Sequence, residues 1–396
     1  MALKVLIAPL RYVQGPGALS QLGGQLQAIG VTNPLVLTSP SAKREVGATL
    51  SEGLTTMSIS HSFLDFGGEC TRKEIARIRD ACLAGGHDAI INCGGGKTID
   101  AGRAAACASA FWAERGEVVP DLGAGVHCIN VPTVAATDAS TSAVSLVYND
   151  DHVIEATMVY PANPTMVFVD TSVIARSPVR LLVSGMGDAL ATYFEAQMSF
   201  QTGTPCILTQ AQSTRTARTL AKLCLDLLLE FGAQAKAECE AGVAGPALEA
   251  VTEANVLLSG VGFESGGICG CHAIGHGFHP IGHRFRVPQY HGEEVAFGTL
   301  GQLMLEDRSI EDLDLIYGFC RSVGLPTTFA ELTLDDPTDA ELEIVARAAA
   351  CDMIIKGMPR SHEVPAEDGS FYDWREIFDA IKAADAYGRA FAARAA

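Results

Sequence analysis

Positive charge is scarce in this chain. Lys and Arg number 28 against 46 Asp and Glu, a formal net charge of -18. Nucleic acid and anionic membranes both reward a basic surface, so neither is an expected partner. Long apolar runs are missing as well. Near the start, Lys4 and Arg11 bracket only Val5 to Leu10, too short for a signal-peptide core and far too short for a membrane span. The 12 cysteines are scattered with no disulfide framework and read as reduced thiols. The expected compartment is the cytoplasm. There is no internal repeat and no low-complexity segment. What is present is a 48% hydrophobic chain of 396 residues, enough for globular cores in two domains.

The first half alternates apolar runs with amphipathic segments. Strands are expected at Leu35–Thr38, Met57–Phe63, Asp88–Cys93, Val126–Val131, Ala143–Tyr148 and Met166–Asp170. Helices are expected at about Ala42–Glu52 and Thr71–Ala84. This alternation implies a parallel, doubly wound sheet. From about Ser177 the texture becomes helical, with segments at Val179–Phe200, Thr209–Phe231, Gly245–Gly260, Glu311–Ser322 and Asp339–Ala349. A boundary near Pro178 therefore divides an α/β half, residues 1–177, from a helical half, residues 178–396. Ser361 to Trp374 reads as a surface loop.

Gly94-Gly95-Gly96-Lys97-Thr98-Ile99-Asp100 follows one of these strands and opens an alanine-rich helix. Such a turn lets backbone approach a pyrophosphate at a helix N-terminus; a ligand-free glycine turn is the alternative. Two named motifs fail on spacing. A P-loop needs glycine where Ile91 stands, and the Rossmann fingerprint needs it at Ile99. Another strand ends in the hydroxyl-rich run Pro132 to Ser142, containing Asp138, where open α/β sheets bind ligands.

Histidine concentrates in one stretch. His272, His276, His279 and His283 fall at i, i+4, i+7 and i+11, one face of a helix that Pro280 would kink or end. His291 follows Pro288, in a turn expected to fold back on that stripe. Metal ligation and a packed, hydrogen-bonded face both fit the spacing. Asp188, after Gly185 and Gly187, would supply a carboxylate, or else an N-cap.

Together these motifs resemble the iron-containing, or group III, alcohol dehydrogenase superfamily, and within it the glycerol dehydrogenases. Gly94 to Asp100, Pro132-Thr133, Thr137-Asp138 to Ser142, Gly187 to Thr192, His272-Ala273-Ile274 and His291-Gly292-Glu293 occur in the family's order. Tyr12 to Gly15 and Ala383 to Ala386 extend the likeness over nearly the whole chain. The resemblance implies a Rossmann-like N-terminal domain, a helical C-terminal domain and a dehydroquinate-synthase-like architecture. It implies NAD bound by Gly94, Gly95, Gly96, Lys97, Asp100, Thr133, Thr137, Ser142, Val144 and Tyr148, with Ser39 at the adenine ribose. It implies a divalent metal, zinc for preference, on Asp188, His272 and His291, with His276 beside it. It also implies a homo-oligomer that oxidises glycerol or a related 1,2-diol reversibly to the hydroxyketone, Asp138 contacting the polyol.

The chain departs from the pattern in three places. Thr192 stands where iron-dependent members carry a further histidine, which favours a three-ligand zinc site. Ser39 replaces the acid that grips the ribose, with Lys43 and Arg44 nearby, which leaves NADP open. Lys356-Gly357-Met358-Pro359 replaces a His-Asn pair, which leaves 2-hydroxyacids and other alcohols open as substrates. A dehydroquinate-synthase-like lyase ranks lower, because Arg284 and Arg286 are the only basic residues near the metal motifs that could meet a substrate phosphate.

Overall fold

The structure, a computed structural model, describes residues 3–113 and 115–395. The chain forms two compact units. One comprises Ile7–Pro178 and Glu238–Gly260; the other comprises the residues up to Leu6, Val179–Ala237 and Val261–Ala396. The expected single boundary at 177/178 does not describe this division, because a second stretch of chain rejoins the α/β unit. Polar contacts show why. The Gln14 amide donates to the Glu249 carboxylate at 2.8 Å, and the Thr141 hydroxyl donates to the Val256 carbonyl at 2.5 Å.

The α/β unit is built on β1 (Tyr12–Gly15), β2 (Pro34–Thr38), β3 (Ser62–Asp65), β4 (Ala89–Gly94), β5 (Ser109–Trp112), β6 (Glu117–Pro120), β7 (His127–Pro132), β8 (Val144–Tyr148), β9 (Ile154–Val159) and β10 (Met166–Asp170). Its helices are α1 (Leu22–Gln27), α2 (Pro40–Thr56), α3 (Arg72–Ala84), α4 (Gly96–Ala106) and α5 (Thr171–Ile174). Six strands make a parallel sheet in the order β1-β10-β7-β4-β2-β3. Successive side chains on a strand face opposite ways, so both faces of this sheet need cover. Val36, Ile91 and Ile129 pack in one core with α1 and α2, while Leu35, Leu37 and Ile90 pack in another with α3 and α4.

A second, antiparallel sheet runs β6-β5-β9-β8. Only β8 was expected from the sequence. The expected strand at Met57–Phe63 is displaced: Met57 caps the end of α2, Ser58 turns the chain at φ 57°, and β3 begins at Ser62. Past α5, the returning stretch carries α8 (Pro246–Glu253), which runs into a π-helical turn at Ala254–Leu258. That turn holds the hydroxyl-rich loop, with the Asn255 amide donating to the Ala135 carbonyl at 2.9 Å.

The helical unit contains α6 (Val179–Thr202), most of α7 (Arg215–Glu240) and of α9 (Ser259–Gly266), then α10 (Gly270–Gly277), α11 (His291–Leu305), α12 (Ile310–Val323), α13 (Asp339–Cys351) and α14 (Trp374–Ala395). Helix α11 is its centre. Gly292 to Leu303 is buried without a break, as in a helix packed on all sides, and α6, α10 and α14 all lie against it. Among the described residues no helix is long and apolar enough to cross a membrane.

One buried ion pair fastens the α/β unit beneath the glycine turn. Arg103 and Asp100 pair at 3.0 Å on α4. The guanidinium also donates to the carbonyls of Ala139 and Val144, and the backbone N–H of Leu146 donates to Asp100 at 3.3 Å. Burial pushes the Asp100 carboxyl up to about 6, although Arg103 pulls it down. Replacing Arg103 by Met leaves this carboxylate buried without its partner, which costs about 3–5 kcal/mol; chemical denaturation should show a loss of that size.

Candidate functional site

Asp188 sits within α6 on a stretch, Leu182 to Thr192, that is buried at every position. It is interior to the helix, so the N-cap alternative does not describe it. His272 lies on α10 and His291 is the first residue of α11; it opens a helix rather than lying in a turn. The Nε2 atoms of His272 and His291 stand 3.2 and 3.5 Å from Asp188 Oδ1. One ligand atom from each of the three residues lies within 4.8 Å of the others. Tetrahedral bonds of 2.0–2.1 Å to a metal separate donors by about 3.3–3.4 Å, so these residues fit a divalent ion. The His291 side chain is 38% exposed, which leaves one side of the cluster open.

Glycine makes this convergence possible. A methyl group on Gly187 would overlap the Gly292 carbonyl, and one on Gly292 would overlap that of Ser184. One on Gly298 would overlap the Cys271 carbonyl. The three helices that carry the ligands therefore touch backbone to backbone. Arg180 then pins the start of α11: it binds the Glu293 carboxylate at 2.6 and 2.8 Å and lies over the Tyr290 ring. Glu293 in turn accepts the Tyr290 backbone N–H at 2.7 Å.

The buried polar groups polarise one another. Burial opposes charge on Asp188, but hydrogen bonds from His272 and His291 hold it well below the ordinary carboxylate range. Burial likewise opposes charge on His272, and Glu195 with Asp188 raises it well above the imidazole range.

The histidine stripe splits. His276 Nδ1 is 2.9 Å from Asp352 Oδ2, and its ring centre is 6.1 and 5.8 Å from those of His272 and His291. Burial and the neighbouring imidazoles hold His276 below its ordinary value despite Asp352. His279 pairs with Glu294 at 3.3 Å, and His283 is exposed in a short 3-10 turn, His279–Arg284, begun by Pro280.

The expected cofactor residues gather in the α/β unit. Gly94 ends β4, Gly95 precedes α4, and Gly96 and Lys97 open it. The Thr133 N–H donates to the Gly94 carbonyl at 3.1 Å, and the Ser39 N–H to that of Cys93 at 3.3 Å, so both flank the glycine turn. Ser39 caps α2. Lys97 binds Glu69 at 2.6 Å and lies 5.0 Å from the Tyr148 ring centre. The Asp138 carbonyl accepts the N–H groups of Thr141 and buried Ser142, and the Thr137 hydroxyl accepts that of Ala139. The Val144 carbonyl and the Asp100 carboxylate both face Arg103 and are structural contacts.

Sequence reasoning did not find Glu195, Asp352, Glu69 or Gln302. For Glu195 a signal existed, since it follows Asp188 by seven residues, two helical turns on the same face.

Residues 9–171 match the family described as iron-containing alcohol dehydrogenase. The chain is 39% identical over 360 residues to a glycerol dehydrogenase of Citrobacter freundii, covering 91% of this chain and 93% of that one. It is 38% identical over 383 residues to a glycerol dehydrogenase of Thermotoga maritima, covering 97% of each. The crystal structure of glycerol dehydrogenase from Schizosaccharomyces pombe superposes with a TM-score of 0.86 at 31% identity, covering 100% of this chain and 93% of that one.

The glycine contacts carry a prediction. Gly292→Ala should force α6 and α11 apart and weaken divalent-metal uptake together with thermal stability. Gly282→Ala, at a position with open space, should change neither. A metal titration and a melting curve on both variants check this.

Proposed function

The chain belongs to the iron-containing alcohol dehydrogenase family, and from that premise we propose that it oxidises glycerol or a related 1,2-diol with NAD. The observation that carries the reading is the Asp188, His272 and His291 cluster, one carboxylate and two imidazoles within 4.8 Å. Zinc is the proposed metal, because Thr192 occupies the position one turn beyond Asp188 and the set stays at three ligands. The free cysteines suit a reducing compartment, which supports the cytoplasm; a homo-oligomer rests on family resemblance.

The reaction converts a secondary alcohol and NAD⁺ to a ketone, NADH and one proton. Bound to the three residues, a divalent metal supplies Lewis-acid charge of the kind that takes water's pKa from 15.7 to about 7. Held by the glycine turn at Gly94 to Gly96 and by Lys97, a nicotinamide cofactor would supply the hydride acceptor. The rest falls to the chain's own groups. The backbone at Gly94 to Gly96 and the N-terminus of α4 suit the cofactor's pyrophosphate, with Lys97 beside it; the family resemblance implies a contact from Asp138 to a substrate hydroxyl.

We assign the hydroxyl proton to His276. Asp352 holds its Nδ1, so an incoming proton takes Nε2. The rival lyase reading gains nothing from Arg284 and Arg286, which are committed to Glu341 and Asp335.

One observation supports a second cofactor reading. The ribose end carries neutral Ser39 beside Lys43, whose nearest carboxylate, Asp65, stands 2.6 Å away on β3. No acid at position 39 repels a 2′-phosphate, so NADP should also be accepted.

Two outcomes test the proposal. Asp188→Asn and His272→Ala should each reduce glycerol oxidation to background while NAD binding, followed by fluorescence, persists; chelation should do the same to the wild type until zinc is restored. Ser39→Asp should raise the preference for NAD over NADP by at least about tenfold in kcat/KM, since placing like charges together costs several kcal/mol.

A further inference from the structure

Glu195 is a buried carboxyl group on α6 to which the proposed reaction gives no role. Its side chain is 2% exposed. Oε1 accepts the backbone N–H groups of Cys269 and His272 at 2.9 and 3.0 Å, and Oε2 lies 2.7 Å from His272 Nδ1. The other nitrogen of that ring, Nε2, is the one that faces Asp188 at 3.2 Å. We propose that Glu195 is a positioning residue for the metal: it accepts the Nδ1–H of His272 and so keeps the Nε2 lone pair for the ion. The inference rests on reading Asp188, His272 and His291 as the metal ligands.

Two physical arguments support it. A ligating imidazole has two nitrogens, and the hydrogen bond at one decides which is left for the metal. An ionised carboxylate only accepts, so at Nδ1 it selects the Nδ1–H tautomer and makes the ring a stronger donor. The second argument concerns placement. Helix α10 has just eight residues and no side-chain cap of its own, yet its first N–H groups need acceptors. Glu195 takes two of them, and Gln302 Oε1 takes that of Cys271 at 2.8 Å. The same carboxylate thus fixes where His272 stands and which nitrogen it offers. Asp188 and Glu195 lie on one face of α6, so a single helix supplies one ligand and orients another.

The test uses the full chain, stripped of metal and titrated with zinc against a chromophoric chelator, with the cobalt(II) spectrum as a second readout. Glu195→Gln keeps the shape, and its amide oxygen can still accept from the α10 backbone. Its NH2 is then a donor facing Nδ1, which favours the wrong tautomer. Zinc affinity should fall roughly 10–100-fold and the cobalt bands should shift, in protein that circular dichroism shows to be folded. A folded Glu195→Gln protein with wild-type zinc affinity and an unchanged cobalt spectrum overturns the proposal.

If that variant does not fold, the zinc-loaded wild type labelled with 15N-histidine decides. A proton on His272 Nδ1, identified by its loss in His272→Ala, supports the assignment, and a proton on Nε2 overturns it. Wild-type zinc binding that survives Asp188→Asn would instead refute the ligand set itself, so the two failures are distinct.

Discussion

Three helix backbones in contact, with no side chain between them, are the constraint on which the candidate metal centre depends. Ordinary helix pairs keep their axes 8–10 Å apart because side chains interdigitate. At Gly187, Gly292 and Gly298 even a methyl group would meet a carbonyl oxygen. Short ligands on α6, α10 and α11 can therefore converge although they are remote in sequence. Arg180 adds the polar half of the same restraint by holding Glu293 in the first turn of α11. Packing fixes the spacing of Asp188, His272 and His291, which lowers the ordering entropy that binding of a metal would have to overcome.

Within that frame, one residue type serves four ends. His272 is held between Asp188 and Glu195, His276 is tied to Asp352, His279 to Glu294, and His291 reaches Asp188 from the open side. The rings are neighbours, yet their surroundings push their protons in opposite directions, up at His272 and down at His276.

The parallel sheet was legible because its central strands carry short apolar runs, as at Ala89–Ile91 and Met166–Val169. Of the antiparallel strands only β8 was. In β5 and β6 short mixed runs such as Ser109–Trp112 and Glu117–Pro120 owe their pairing to each other, and nothing local announces it. The start of α11 was hidden for a similar reason: its N-cap position is Tyr290, and its restraint comes from Arg180, 113 residues before Glu293. Spacing alone raised a metal site on the histidines but could not choose Asp188, which meets His272 across 84 residues; family resemblance supplied it. Glu195 needed the fold, since its meaning lies in an imidazole from another helix.

The π-helical turn at Ala254–Leu258 has a consequence for how this part of the chain can change. Such a turn is in effect one residue inserted into an α-helix. Here Asn255 and the Val256 carbonyl both hold the loop that bears Asp138. Deleting a residue would restore regular winding but rotate the following turn by about 100°, carrying one of those grips away from the loop. The extra residue therefore fixes the length of this helix: a deletion, however conservative in composition, displaces a contact that holds the loop.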